Sequence, residues 1–276
     1  MIFVLATPGT GGEQVCRALG ALPGAIAAPV ATHVFSQGVD RILRHWRLDP
    51  GPQAISGLAD LQPFLLATRL LADTPFAALL DKTGADVVVE YSPDHIKYAD
   101  EIAGLYPDAT LVHVVRDGRQ VAVRLSSPVH GLSPRESAKR WVDDQRLMLD
   151  VEHPAVFVVR MEGLVREPVR LVGTLADALG FDADDKAIER AAAELGAPRT
   201  LPEVPTGRAG AIVEIIGPDL LVHHDYGTGG AGLPQSVAAW GDMISYGGVG
   251  FARKVSADVG RRTAARAQRF RRAVAR

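Results

Sequence analysis

The run Ile2-Phe3-Val4-Leu5-Ala6, broken by Thr7-Pro8-Gly9-Thr10-Gly11-Gly12 and resumed as the helix-like Glu13-Gln14-Val15-Cys16, constrains this chain more than any other stretch. A strand that breaks into a Gly/Thr turn and re-enters as a helix leaves several backbone N–H groups pointing into one concavity, at the positive end of the helix dipole. Such a concavity cradles phosphate. In nucleotide triphosphatases the loop ends in Lys followed by Ser or Thr, the lysine for the terminal phosphates and the hydroxyl for magnesium; both are missing here. The loop therefore predicts a phosphorylated nucleotide held without metal-assisted triphosphate cleavage. A Gly-rich turn after a strand is also an ordinary α/β connection, so the reading needs support from the rest of the chain.

That support comes from how the chain continues. Asp86 to Glu90, Thr110 to Val115 and Ala155 to Arg160 are short Val-rich runs of the kind that form strands covered on both faces. Helical spacing marks about 13 to 21, 35 to 47, 58 to 80, 94 to 105, a start near 119, 134 to 150, 167 to 180 and 185 to 196, with an Ala/Pro-rich loop from Pro23 to Pro29. Ser92-Pro93-Asp94 and Ser133-Pro134 read as helix caps. Strands alternating with helices predict an α/β fold, a P-loop-like parallel sheet with helices on both faces. Ligands of such sheets gather at the carboxyl ends of the strands, where the Thr7 to Gly12 loop, Tyr91-Ser92 and Arg116 all fall. From Pro202 to Pro234 the texture turns Gly/Pro-rich, and the apolar runs Ala211 to Ile216 and Leu220 to His224, split by Gly217-Pro218-Asp219, read as a β-hairpin or long excursion. The division expected is 1–200 for the α/β domain, 201–250 for a Gly-rich excursion closing the cleft, and 251–276 for a basic helix.

Composition narrows the class. With 276 residues, 47% of them hydrophobic, the chain can bury a large core. Cys16 is the one cysteine, which excludes an intramolecular disulfide and fits a reducing compartment. The chain begins directly with a strand, without the pattern of a signal peptide, and no apolar stretch of about 20 residues suggests a membrane helix, so a cytoplasmic protein is expected. The formal charge of −2 is uneven: residues 253–276 hold nine Arg or Lys against Asp258 alone, net +8, leaving about −10 elsewhere. A solvated terminal helix accounts for that tail better than nucleic-acid or membrane binding. His223-His224-Asp225 makes a poor metal cluster, because adjacent strand residues face opposite ways.

Three segments in this order resemble the sulfotransferases that use 3′-phosphoadenosine-5′-phosphosulfate (PAPS). Phe3 to Gly12 with its helix looks like the family's 5′-phosphosulfate loop. Leu111-Val112-His113-Val114-Val115-Arg116-Asp117-Gly118-Arg119 is similar to its 3′-phosphate segment, a strand ending in Arg-Asp before a helix. Val158-Val159-Arg160-Met161-Glu162-Gly163-Leu164-Val165-Arg166-Glu167-Pro168 resembles its strand, acidic turn and entry to a helix, and Glu90-Tyr91-Ser92-Pro93-Asp94-His95 its linking stretch. Together these cover about residues 1–180. The resemblance implies a sulfotransferase fold and sulfuryl transfer from PAPS, leaving the bisphosphate PAP, to a hydroxyl or amine of a small molecule or glycan, with no metal and no nucleic acid. It places Thr7, Pro8, Gly9, Thr10, Gly11, Gly12 and Glu13 around the 5′ end of the donor and Arg116 on its 3′-phosphate. Arg124 stands where a serine commonly touches that phosphate, and Arg208-Ala209-Gly210 resembles a late segment that closes over it. Oligomeric state is open, with a homodimer among the options.

The departures matter as much. Where the family usually has Arg or Lys followed by Ser-Gly-Thr-Thr, this chain has Gly9-Thr10-Gly11-Gly12-Glu13. Two like charges about 4 Å apart repel by about 4 kcal/mol at an effective dielectric of 20, so Glu13 must turn away, be protonated or reject a dianion. Ala31 replaces a glutamate thought to act as base in many bacterial members, and Tyr91 replaces a lysine. His33 is the titratable residue left on the acceptor side, with His95 and Tyr91 as further catalytic candidates. The alternative is a sulfotransferase-like protein with impaired chemistry, kept as a nucleotide- or partner-binding module. A phosphotransferase is disfavoured by the absent P-loop lysine.

Overall fold

Alternation of side chains along the first strand decides the layering. In the computed structural model, which describes residues 1–43, 60–126, 130–196, 212, 214–226 and 245–246, β1 (Ile2–Ala6) is buried along its whole length. Phe3 and Leu5 point to one side and join Phe35, Ile96, Tyr106 and Leu111. Val4 and Ala6 point to the other and join Val15, Leu19, Val112, Val114 and Leu175. Apolar residues on both faces require helices above and below, at about 1.5–3 kcal/mol for each large side chain so buried.

The sheet runs in the order β2 (Ala25–Ala27), β3 (Val87–Glu90), β1, β4 (Thr110–Val115), β5 (Val156–Arg160), β6 (Ser245–Tyr246). The first five are parallel and β6 is antiparallel on β5. Chain order departs from β1 toward β3 on one side and toward β4 on the other, so β1 lies at the switch point where ligands of such sheets bind. The register aligns Ala6 with Val114 and Val115 with Arg160. Thr7, Tyr91, Arg116 and Met161 thus leave the sheet along one rim.

The helices are α1 (Gly12–Gly20), α2 (Leu61–Thr83), α3 (Ala99–Leu105), α4 (Gly118–Leu125), α5 (Pro134–Leu149), α6 (Met161–Arg166), α7 (Pro168–Ala178), α8 (Asp185–Ala193) and α9 (Pro218–His223). A π-helical turn spans Val34–Val39 and a 3₁₀ turn His95–Tyr98. Ser133 starts α5 with a capping box: its hydroxyl accepts the Glu136 N–H at 3.2 Å while the Glu136 carboxylate accepts the Ser133 N–H at 2.8 Å.

Several expectations are corrected. The Pro23 to Pro29 loop contains β2, whose short Ala-Ile-Ala run is paired to Val87–Val89 of β3. Ser92 caps no helix; its hydroxyl donates to Glu90 at 2.7 Å and accepts the His33 N–H at 3.0 Å. The hairpin expected around Gly217-Pro218-Asp219 is helical on both sides: Ile212, Ile216, Leu220 and Leu221 recur at helical spacing and pack on Trp141, and Pro218 opens α9. Gln62–Thr83 is long and apolar enough to cross a membrane by length and composition, at a mean hydropathy of 1.3, contrary to the expectation that no stretch qualifies. One side of that helix is in the core through Ala72 and Phe76, and its Arg69 and Asp73 bond Asp108 and Tyr106 at 3.0 and 2.7 Å. Arg208, the Gly227 to Gly232 stretch and the basic segment 251–276 lie outside the described residues.

Candidate functional site

The loop after β1 turns on glycines that neighbours demand. Gly9 has φ +82° and Gly11 φ +118°, the left-handed region in which a side chain is strained. Neighbours also claim the space: a Cβ on Gly9 would lie 3.1 Å from Arg124 Cδ, one on Gly11 2.7 Å from Met161 Sδ, and one on Gly12 2.4 Å from the Tyr91 ring. Each glycine of the loop therefore lodges a side chain from another element: Arg124 from α4, Met161 from the start of α6 and Tyr91 from the end of β3. Thr10 turns inward; its hydroxyl is buried and, among the described residues, has no hydrogen-bond partner.

These groups enclose a hollow of about 340 Å³, within the range of small-molecule sites. It is lined by Pro8 to Gln14, by Tyr91 and Pro93, by Arg116, Arg124 and His130, and by the apolar Met161, Leu164 and Val165. A glycine loop at a helix start, the guanidinium groups of Arg116 and Arg124 beside the Glu13-paired Arg17, and apolar side chains suit an anion carrying a flat ring.

Arg116 is only 5% exposed. Its Nε donates to Gln120 Oε1 at 3.1 Å and its Nη1 to the Gly9 carbonyl at 3.5 Å. Asp117 beside it is committed elsewhere: its carboxylate caps α4 at the Arg119 N–H and takes the Arg119 guanidinium through Nη2 at 2.6 Å. Burial lowers the pKa of Arg116, the Glu162 charge opposes that, and the like charge of Arg124 lowers it further. Glu162 is buried behind the rim, accepting the Asp117 N–H at 2.8 Å and the Tyr226 hydroxyl at 3.0 Å, and burial pushes its carboxyl above the usual range. Among the described residues neither Arg116 nor Arg124 has a carboxylate at ion-pair distance.

Glu13 does not fill the cradle. It is 70% exposed and pairs with Arg17 one turn on at 2.9 Å. Burial, then the Glu13 charge, raises the Tyr91 phenol well above its ordinary pKa, so it is a hydrogen-bond donor at any accessible pH. Thr7 is expected in the cradle but is fully buried below it, its hydroxyl accepting from Gln145 Nε2 at 3.4 Å. His95 is also fully buried, with Nδ1 2.7 Å from Glu90 Oε2 and its ring edge-on to Phe35, so it does not face the hollow. Glu90 gathers Thr32, Ser92 and His95; burial alone would raise its pKa, and those three hydrogen bonds outweigh it and hold the carboxyl below the usual range. His33 rides on this cluster through its backbone N–H, at φ 51°, and is not among the residues lining the hollow. Sequence reasoning gave no role to Gln120, Arg17 or His130, and marked Glu162 only as part of an acidic turn. Among the described residues no group of acidic, His or Cys side chains could hold a metal ion.

No curated protein sequence matches the chain. Among solved structures it is similar to a sulfotransferase from Alicyclobacillus acidocaldarius, with a TM-score of 0.52 and 20% identity over 87% of this chain and 97% of that one. It is also similar to sulfotransferase STF9 from Mycobacterium avium, with a TM-score of 0.56 and 14% identity over 84% and 78%. These likenesses establish the fold. The sequence profile described as "Sulfotransferase family" matches residues 2–185, two thirds of the chain, and so the protein belongs to the sulfotransferase family, whose fold serves sulfuryl transfer.

Proposed function

We propose that the protein binds PAPS in this hollow and transfers its sulfuryl group to a hydroxyl or amine of a small molecule or glycan. One observation carries the reading: two guanidinium groups without carboxylate partners among the described residues converge on a glycine loop that opens a helix, and all three line one hollow. Like charges at less than full exposure repel, and the arrangement is relieved by an anion between them. The amides of Gly9 and Gly11 to Glu13, with the Thr10 hydroxyl, hold the 5′ side of the donor, while the Thr10 amide closes the turn onto the Thr7 carbonyl at 3.1 Å; Arg116 grips the 3′-phosphate with its planar fork, and Met161 and Leu164 face the base. Tyr91 donates its phenolic proton as a hydrogen bond toward the charge developing at the loop. Catalysis in this reading comes from positioning and from preorganised donors. His33 and His95 stand outside the hollow, and that placement favours as the second reading a protein that binds the donor without turning it over.

Calorimetry with PAP tests the first step. Micromolar binding by the wild type is expected, with Arg116→Ala weakening it by about ten- to a hundredfold, the value of one hydrogen-bonded charge. A folded wild-type protein that ignores PAP overturns the proposal. Incubation with labelled PAPS separates the two readings: release of PAP with sulfate on an acceptor supports the transferase, binding with no release supports the second.

A further inference from the structure

The loop that should hold an anion carries no positive side chain: Thr7 to Gly12 are Thr, Pro and Gly, and Glu13 adds a negative charge. Backbone amides contribute partial charges only. Arg17, on the same helix as Glu13, lines the hollow but is paired with that carboxylate, and the other full charges come from other elements: Arg116, with Nη1 3.5 Å from the Gly9 carbonyl, and Arg124. Arg124 lies on α4, eight residues beyond Arg116, and its side chain crosses to the loop so that Cδ, Cγ and Nε stand 3.1, 3.5 and 3.5 Å from where a Gly9 Cβ would be. It lines the hollow, is half-buried, and among the described residues has no ion-pair partner, whereas its neighbours Asp117 and Arg119 neutralise each other. A half-buried guanidinium laid over Gly9, with no ion-pair partner among the described residues, is available to an anion in the hollow.

Resting on the reading that the hollow takes PAPS, we infer that Arg124 is a donor-binding residue that supplies the 5′-phosphate loop with the charge its own sequence lacks, its side chain lying over Gly9. This assigns Arg124 to the loop end of the donor, in place of the 3′-phosphate contact that the resemblance implies for its position, and leaves Arg116, buried and steadied by Gln120, to the 3′-phosphate.

Arg124→Gln tests it, because glutamine keeps a polar side chain over Gly9 without the charge, and thermal unfolding is expected to match the wild type. Binding is read by calorimetry with PAP and by displacement of PAP with adenosine 5′-phosphate or adenosine 3′-phosphate. The expected result is a loss of PAP affinity of about ten- to a hundredfold, carried over to the 5′-phosphate and not to the 3′-phosphate, with Arg124→Lys in between because it restores charge without the planar fork. PAP binding by Arg124→Gln within twofold of wild type overturns the inference while the proposed function stands, and so does a loss confined to the 3′-phosphate. A wild-type protein that does not bind PAP overturns the underlying reading and this inference with it.

Discussion

Acidification should loosen this fold through two buried histidines that do not line the hollow. His113 on β4 and His224 after α9 are 3% and 7% exposed, their rings 6.2 Å apart, with Trp141 5.9 Å from the second. Burial first, and then the neighbouring histidines, lower the pKa of His113 to about 3 and of His224 to about 2. In the unfolded chain each titrates near 6.5, so the unfolded state binds the more protons in the window from about 6.5 down to about 3. Stability contributed by the neutral rings is therefore whole above pH 6.5 and is lost as pH falls through that window. Between pH 7.0 and 5.5 each histidine forfeits about 1.2 kcal/mol, about 2.5 kcal/mol for the pair, a size set by the unfolded pKa as long as the folded values stay well below 5.5. Glu162 and Asp144 carry raised pKa values and push the other way, so the clean measure is a difference between proteins. Urea unfolding followed by tryptophan fluorescence at both pH values should show wild type losing about 1.2 kcal/mol more than His224→Phe over that interval. Parallel losses in the two proteins would refute the reasoning.

Ser133→Ala removes the reciprocal cap of α5 and should cost about 1 kcal/mol in urea unfolding, with PAP affinity unchanged because the cap lies away from the hollow. Glu13→Gln should raise PAP affinity by a few-fold at low salt and hardly at all at 0.5 M salt, since an exposed charge is screened; a large gain that persists in salt would place Glu13 against the ligand.

The loop and its rim were legible because close backbone approach leaves a mark that few other causes imitate. Gly9, Gly11 and Gly12 come within a few residues of the end of an apolar run, and Arg116 follows another directly, so both sit at strand ends whatever the details of packing. Elements whose identity depends on partners were not legible. Ala25–Ala27 has neither length nor β-branched residues beyond Ile26, and only the edge of β3 makes it a strand. Gly217-Pro218-Asp219 fits a hairpin turn and a helix start equally well; the choice was made by Ile212, Ile216 and Leu221 finding Trp141. Side-chain direction failed in the same way. Thr7 belongs to the loop by sequence, yet the alternation that sends Phe3 and Leu5 to the α5 side sends it there too, beneath the cradle. His95 fits a cleft-facing residue until Glu90 is seen beneath it, a long-range pairing that local pattern does not encode.

The acid at position 13 shows how exposure, more than charge, decides what a site can bind. At about 4 Å two unit charges interact by about 1 kcal/mol in water and about 4 kcal/mol at an effective dielectric of 20. Glu13, 70% exposed and paired with Arg17, sits nearer the first limit, and its first-turn position is favoured by the helix dipole. Arg116, 5% exposed, sits nearer the second. An anion in the hollow therefore gains more from the buried guanidinium than it loses to the solvated carboxylate, although the two carry equal charge. The same asymmetry sets the order of effects among variants: changes at Arg116 and Arg124 should govern affinity at any salt, while changes at Glu13 and Arg17 should tune it only where screening is weak. A loop without its own cation and with an acid beside it remains an anion site because the charges that count are delivered from β4 and α4, on the protected side of the sheet's rim.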